Sequence, residues 1–184
     1  GGNTACVEMR CGDRLLIFDG GTGLRELGRT LEGGPPIDAD IFFSHSHLDH
    51  VAGVPFFRPL FQAQNKFRLW AGHLKPEHVL MDVLGQMMAA PLFPIPPAAF
   101  YADTEFNDFT AGERLEPQPG ISVVTTPLNH PNGATGYRVE YGQRAVAYVT
   151  DTEHENGTLD AGILNLIQAA DLFIYDSTYT DDEY

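Results

Sequence analysis

The chain has 184 residues, of which 43% are hydrophobic, so it is long enough to bury a substantial core. Eleven Lys and Arg oppose 25 Asp and Glu, which gives a formal charge of -14. Because binding to a long nucleic acid relies on a basic surface, this balance argues against such a ligand and favours a small or neutral substrate.

Membrane and disulfide signals are both missing from the sequence. No apolar run approaches the roughly 20 residues that a membrane-spanning helix needs. The first residues, "GGNTACVEMR", lack the layout of a signal peptide, so the sequence predicts a cytoplasmic protein. Cys6 and Cys11 are five residues apart and are expected on opposite faces of a strand and turn, which makes a disulfide between them unfavourable.

Strands and helices alternate in the first half of the chain. The apolar patterns predict strands at "CVEMR", "RLLIFDGG", "ADIFFSH" and "FRLWAG". They predict helices at "GLRELGRTL" and "KPEHVLMDVLGQMMAA", the second with Pro76 in its first turn. The run of three apolar residues from Ile41 favours a strand that is covered on both faces.

The second half is richer in strands. "PLFPIPPAAF" carries four prolines and is predicted to be a loop or the lip of a lid. "ISVVTTPL", "TGYRVEY" and "RAVAYVT" are predicted strands, and the last two are joined by the turn "GQ". A helix at "LDAGILNLIQAA" and a strand at "DLFIYDS" follow, so the fold class is mixed α/β.

One short segment concentrates metal-ligand side chains. "HSHLDH" follows a strand and contains His45, His47, Asp49 and His50. If the strand extends through this segment, residues two apart face the same side, so His45 and His47 would converge. Imidazole and carboxylate together suit a zinc-type ion, whereas a solvated histidine-rich loop would not need this spacing.

The same segment resembles the H-x-H-x-D-H signature of the metallo-β-lactamase-fold hydrolases. "LLIFDGGTG" resembles the preceding motif of that family, with Asp19 as its buried supporting aspartate. "LNHPNGATGYRVE" supplies His130 and "AVAYVTDTEH" supplies Asp151, in the family's order. The resemblance implies an αβ/βα four-layer sandwich, with residues 1–184 forming one domain that is incomplete at both ends and belongs to a longer protein.

The resemblance also implies a ligand set for two divalent metal ions, with zinc favoured and manganese the second choice. His45, His47 and His130 would hold the first ion, Asp49 and His50 the second, and Asp151 would bridge them. The family's second ion takes a further late histidine, which we expect beyond Tyr184.

Three residues are candidates for catalysis. Asp49 and Asp151 are named through the resemblance, and His154, one turn beyond Asp151, is a candidate proton donor to a leaving group. His73 and His78 lie in "AGHLKPEH" beside charged residues and are predicted to be solvated surface histidines.

The function that these features imply is hydrolysis by a metal-activated water. "GGNT", "TDT" and "DSTYTDDEY" resemble the phosphodiesterase branch of the family, which includes transfer-RNA 3′-processing nucleases and small cyclic-phosphate phosphodiesterases. The acidic sequence shows no basic RNA-binding arm, so a small phosphodiester is the expected substrate. Neither a long nucleic acid nor a membrane is expected as a partner. Two alternatives stay open: a thioester or lactone hydrolase, and a non-catalytic metal-binding module for sensing or interaction.

Overall fold

Two five-stranded sheets organise the residues that the computed structural model describes, which are 2–154 and 158–176. The chain divides into two compact units, Gly1–Thr110 and Ala111–Tyr184, with one sheet in each. Whether residues 1–184 act as a single domain stays a prediction. No helix among the described residues is long and apolar enough to cross a membrane.

The first unit alternates strands with helices. Its elements are β1 Val7–Cys11, β2 Arg14–Phe18, α1 Thr22–Leu31, β3 Asp38–Phe43, α2 Leu48–Val51, β4 Lys66–Ala71, α3 Leu80–Met87 and β5 Asp103–Asp108. Short 3-10 helices cover Val54–Phe56, Arg58–Phe61 and Pro97–Ala99. The strand order is β1-β2-β3-β4-β5, and every neighbouring pair except β1 and β2 is parallel. The carboxyl ends of β2 to β5 therefore lie along one side of this sheet, the first carboxyl edge.

Apolar side chains explain why these strands are central. Every residue of β3 after Asp38 is buried, which confirms that it is covered on both faces. On one face, Ile41 and Phe43 belong to a core that includes Leu24 of α1 and Leu84 of α3. Complete burial of each such side chain stabilises the fold by about 1.5–3 kcal/mol.

The second unit is mostly antiparallel. Its elements are β6 Arg114–Gln118, β7 Ile121–Leu128, β8 Ala134–Tyr141, β9 Arg144–Val149, α4 Ala161–Ile167 and β10 Leu172–Tyr175. The order is β10-β9-β8-β7-β6, with β10 parallel to β9 and the other pairs antiparallel. Strands β7, β9 and β10 thus run in the same direction and end on one side, the second carboxyl edge.

The prediction of mixed α/β structure is confirmed, but several boundaries differ. Strand β3 ends at Phe43, so His45 lies beyond it. Helix α3 begins at Leu80 and leaves Pro76 outside, because the backbone N–H of Leu80 donates to the Asp108 carboxylate (2.9 Å) and the helix starts at that acceptor. Strands β5 and β6 were not predicted from the sequence.

Candidate metal centre

Three histidines meet just beyond β3. His45 and His50 are buried, and His47 is half-buried at the residue before the single-turn helix α2. The ring centroid of His45 is 4.5 Å from that of His47 and 4.1 Å from that of His50. In both pairs a ring nitrogen of one residue lies within 4.8 Å of a ring nitrogen of the other. The imidazoles converge as predicted, but the turn into α2 brings them together, since the strand has already ended.

A buried carboxylate holds this cluster. Asp19 directly follows β2 and is fully buried. Its oxygens accept hydrogen bonds from the Ser44 backbone N–H (2.7 Å) and the Ser44 hydroxyl (2.8 and 2.9 Å), and one oxygen lies 2.9 Å from Nδ1 of His50. The structure thus places Asp19 in the supporting position that the resemblance implies. A carboxylate only accepts hydrogen bonds, so in neutral His50 the proton sits on Nδ1, and Nε2 is the nitrogen that carries the lone pair for a metal ion.

The other candidate ligands of the first unit are arranged to match. Nδ1 of His45 is 3.0 Å from the Ser44 hydroxyl, which leaves its Nε2 on the other side of the ring. Asp49 is exposed, and one of its oxygens lies 3.5 Å from Nε2 of His50. Asp49 and His50, the predicted pair for the second ion, are therefore neighbours at their ligand atoms.

Glycines let the backbone segments that carry these candidate ligands approach closely. The Gly20 N–H donates to the His50 carbonyl (2.7 Å), and the Gly53 N–H donates to the Gly20 carbonyl (2.8 Å). A Cβ on Gly21 would overlap the Asp49 carbonyl, and one on Gly53 would overlap the Gly21 carbonyl. The positive φ in this turn belongs to Asp19, at 62°, so close contact is what requires Gly21.

The structure corrects the prediction for His73. His78 is exposed as expected, whereas both ring nitrogens of His73 are buried and have no hydrogen-bond partner in the described parts of the chain. Burial, with a smaller contribution from the charge of His47, lowers the pKa of His73 to about 4. At neutral pH His73 is therefore an uncharged imidazole.

The second carboxyl edge presents the other predicted ligands. His130 follows β7 and Asp151 follows β9, and both are half-buried. The loops that carry them are joined, because the Glu153 N–H donates to the Asn129 carbonyl (2.7 Å) and the Asn129 side-chain amide donates to the Glu153 carbonyl (3.0 Å). Asp151 adopts φ 50° and accepts a hydrogen bond from the Thr150 hydroxyl (2.9 Å).

The proton-donor candidate has a partner that the sequence did not indicate. His154 is exposed, and its Nε2 is hydrogen-bonded to the hydroxyl of Tyr175 at the end of β10. The two rings are stacked at 5.8 Å. Only the pairing of β9 with β10, which brings both chain segments to one edge, reveals Tyr175.

The sequence-predicted residues thus fall into two groups. His45, His47, Asp49 and His50 lie together on the first carboxyl edge, and His130, Asp151 and His154 lie on the second. The complete set of six ligands and the catalytic roles of Asp49, Asp151 and His154 stay predictions. Cys6 and Cys11 are free thiols.

Comparison with known proteins identifies the family. The model of the family described as "Beta-lactamase superfamily domain" matches residues 14–184. The chain belongs to this superfamily. Membership confirms the predicted metallo-β-lactamase fold and, with the histidine cluster, supports a metal-dependent hydrolase. No curated protein matches the sequence.

Solved structures of the superfamily share the fold at low sequence identity. Zn²⁺-bound PqqB from Methylobacterium extorquens is 18% identical with a TM-score of 0.67, over 95% of this chain and 60% of that one. A diphosphatase from the PhnP family is 20% identical with a TM-score of 0.62, over 92% of this chain and 58% of that one. The short form of human tRNase Z is 19% identical with a TM-score of 0.66, over 97% of this chain and 73% of that one. The chain therefore spans less than two thirds of the first two proteins.

Proposed function

We propose that this superfamily member is a dinuclear metal-dependent hydrolase that acts on a small phosphodiester. The observation that carries the proposal is the convergence of His45, His47 and His50 next to a buried supporting carboxylate. Building such a cluster places several polar groups in a dry environment, which costs free energy unless they have partners.

The donor set fits divalent metal ions. Neutral imidazoles and carboxylates are the ligands that zinc takes in hydrolytic sites. Manganese binds the same side chains but prefers a larger share of oxygen ligands. The Asp19 contact with His50 is the kind of carboxylate–histidine pair that orients metal-binding imidazoles. The zinc-bound structural neighbour PqqB is a further reason to expect zinc first.

Each residue then has a defined task in the proposed site. In this proposal His45, His47 and His130 would hold the first ion, Asp49 and His50 would hold the second, and Asp151 would be a ligand to both. The chemistry that bound divalent ions would supply here is activation of a water molecule and neutralisation of charge on the attacked group. Asp19 fixes the tautomer of His50, so that Nε2 is available without a change in protonation.

Proton transfer to the leaving group is assigned to the second unit. His154 and Tyr175 share a hydrogen bond at an exposed position on the second carboxyl edge. A proton held between them can be delivered to a departing alkoxide oxygen.

Charge favours a small phosphodiester over a long nucleic acid. A phosphodiester carries one negative charge, which two divalent ions neutralise locally even on a chain with a net charge of -14. A long RNA brings many charges and needs a broad basic surface. The diphosphatase and the tRNase among the structural neighbours support chemistry at phosphorus.

A substrate panel coupled to metal analysis tests the proposal. The purified protein is loaded with zinc or manganese, its metal content is measured by mass spectrometry, and bis(4-nitrophenyl) phosphate, a cyclic nucleotide, a thioester, a lactone and structured RNA are compared. We expect turnover of the two small phosphodiesters, with release of a monoester, and poor action on RNA. Turnover of the thioester or lactone at least about a hundredfold better would contradict the phosphodiesterase assignment, and metal binding with no turnover at all would indicate a non-catalytic module.

A further inference from the structure

The unpaired imidazole of His73 lies on the same edge as the histidine cluster. His73 comes two residues after β4, and β4 pairs in parallel with β3, whose end leads into His45 and His47. Neither nitrogen of the His73 ring has a hydrogen-bond partner within residues 2–154 and 158–176, although both nitrogens are buried. A buried polar group left in this state destabilises the folded protein, so a partner from outside the chain would recover stability.

The backbone around His73 is held independently of its side chain. The Ala71 carbonyl accepts from the Phe109 N–H (3.0 Å), and Leu74 is buried in the core of the first unit. The Leu74 carbonyl accepts from the His78 N–H (3.0 Å), and the Lys75 ammonium donates to the Asp108 carbonyl. The ring is therefore positioned by its surroundings before any ligand arrives, as a preorganised binding group is.

A role as a metal ligand does not fit His73. Groups of three ligand-type side chains with ligand atoms within 4.8 Å of one another occur among the described residues, and His73 belongs to none of them. It is nevertheless near enough to His47 for the two rings to interact electrostatically. His73 therefore lies near the candidate ligand His47 but outside both ligand groups. In that position it can contact a molecule that a bound ion holds.

We propose that His73 is a substrate-binding residue whose ring N–H donates a hydrogen bond to a phosphoryl oxygen of the ester. This inference rests on the proposed function, because it names a further contact to the same substrate. A neutral imidazole has one N–H donor and one acceptor nitrogen. A non-bridging phosphoryl oxygen can accept a hydrogen bond from that N–H. The hydrogen bond favours bound substrate and transition state alike, so its loss raises KM more than it lowers kcat.

Two substitutions separate hydrogen bonding from packing. His73→Leu keeps an apolar side chain of similar bulk but has no donor, whereas His73→Gln keeps a donor and an acceptor. With zinc-loaded protein and bis(4-nitrophenyl) phosphate, we expect His73→Leu to raise KM about tenfold, with kcat within about threefold of wild type. His73→Gln should recover most of that loss, metal content should equal that of wild type, and His78→Leu, at an exposed histidine on the same loop, should behave as wild type.

Three results would overturn the role of His73: a wild-type KM in His73→Leu, an equal defect in His73→Gln, or loss of bound zinc from His73→Leu. Failure of the proposed function is a separate result, namely no turnover of any phosphodiester by the wild type. Binding of inorganic phosphate to zinc-loaded protein, measured by calorimetry, then tests His73 alone. Weaker phosphate binding by His73→Leu supports the contact, and equal binding or no binding by the wild type rejects it.

Discussion

The two carboxyl edges hold their predicted ligands by different means. On the first edge, a fully buried carboxylate, a buried hydroxyl and two buried imidazoles form one network of side chains. On the second edge, His130 and Asp151 are half-buried, and backbone and amide hydrogen bonds between Asn129 and Glu153 join their loops. We therefore expect that a change to the first-edge network disturbs folding, whereas a change to the candidate ligands of the second edge leaves folding intact.

The largest expected effect tests that separation at Asp151. Asp151→Asn retains the shape of the side chain and tolerates the left-handed backbone, but it removes the charge proposed to bridge the ions. We expect hydrolysis of bis(4-nitrophenyl) phosphate to fall on the order of 10³-fold, because metal charge stabilisation is lost. The free energy of unfolding in urea should change by less than about 0.5 kcal/mol.

Asp82→Asn, at an exposed carboxylate of α3, is the matched control and should leave both quantities unchanged. Asp151→Asn protein with full metal content and full activity would reject the bridging role. A large loss of stability would instead show that the second edge is as tightly coupled to folding as the first.

The next effect concerns the coupled network of the first edge. Asp19→Asn leaves Ser44 and His50 with a poorer acceptor in a fully buried position. We expect the free energy of unfolding to fall by about 2–3 kcal/mol and zinc affinity to fall about 10–100-fold. Urea titrations and competition with a zinc chelator measure the two losses, and Asp13→Asn, at an exposed turn, is the control. Asp19→Asn protein with wild-type stability would contradict the coupling.

A smaller effect is expected at Asp49, which is the exposed candidate ligand of the first edge. Asp49→Ala removes a ligand proposed for the second ion without opening the buried network. Zinc bound per chain should fall from about two ions toward one, with the free energy of unfolding unchanged within about 0.5 kcal/mol. Equal loss of both ions in a zinc titration would show that the two sites do not fill separately.

The smallest expected effect concerns the burial of the Cys6 thiol, next to the first edge. Burial, aided by the charges of Asp19 and Glu8, raises the pKa of the Cys6 thiol to about 12. An unfolded chain loses this proton at lower pH than the folded protein does, so stability falls as the pH rises through 9 toward 12. At pH 10 the linkage amounts to about 1 kcal/mol. Urea unfolding of wild type and Cys6→Ala at pH 8 and pH 10 checks it, since only the wild type should lose this increment.

Local patterns predicted much of the fold and the order of the motifs. "HSHLDH" is one continuous segment that follows β3, and the glycines after Asp19 follow β2, which pairs with β3. Short-range sequence signals were therefore enough to predict both motifs. Strand β5, "DTEFND", was missed because Asp and Asn are rare in strands, and pairing with β4 decides its structure. Lys66 of β4 forms ion pairs with Asp103 (3.1 Å) and Glu105 (2.7 Å), contacts that span more than 35 residues.

Isolated residues of the site were harder to predict than motifs. His73 stands beside charged residues in the sequence, yet it follows β4, a strand paired on both sides, and its ring nitrogens are buried. Tyr175 looks like an ordinary strand residue until β10 pairs with β9 and brings it to His154. In both cases the environment of one side chain depends on strand order, which a single sequence does not contain.

The backbone contact at Gly21 and Gly53 has a consequence for how the gene tolerates mutation. Any side chain at these two positions must push apart the segments that carry Asp19 and His50, so a saturation library selected for folding should retain glycine alone there. Gly85, within α3, has open space around its Cβ position. Alanine at Gly85 should be enriched, since it favours the helix by about 1 kcal/mol. The same amino acid thus marks both the least and one of the most mutable positions of the first unit.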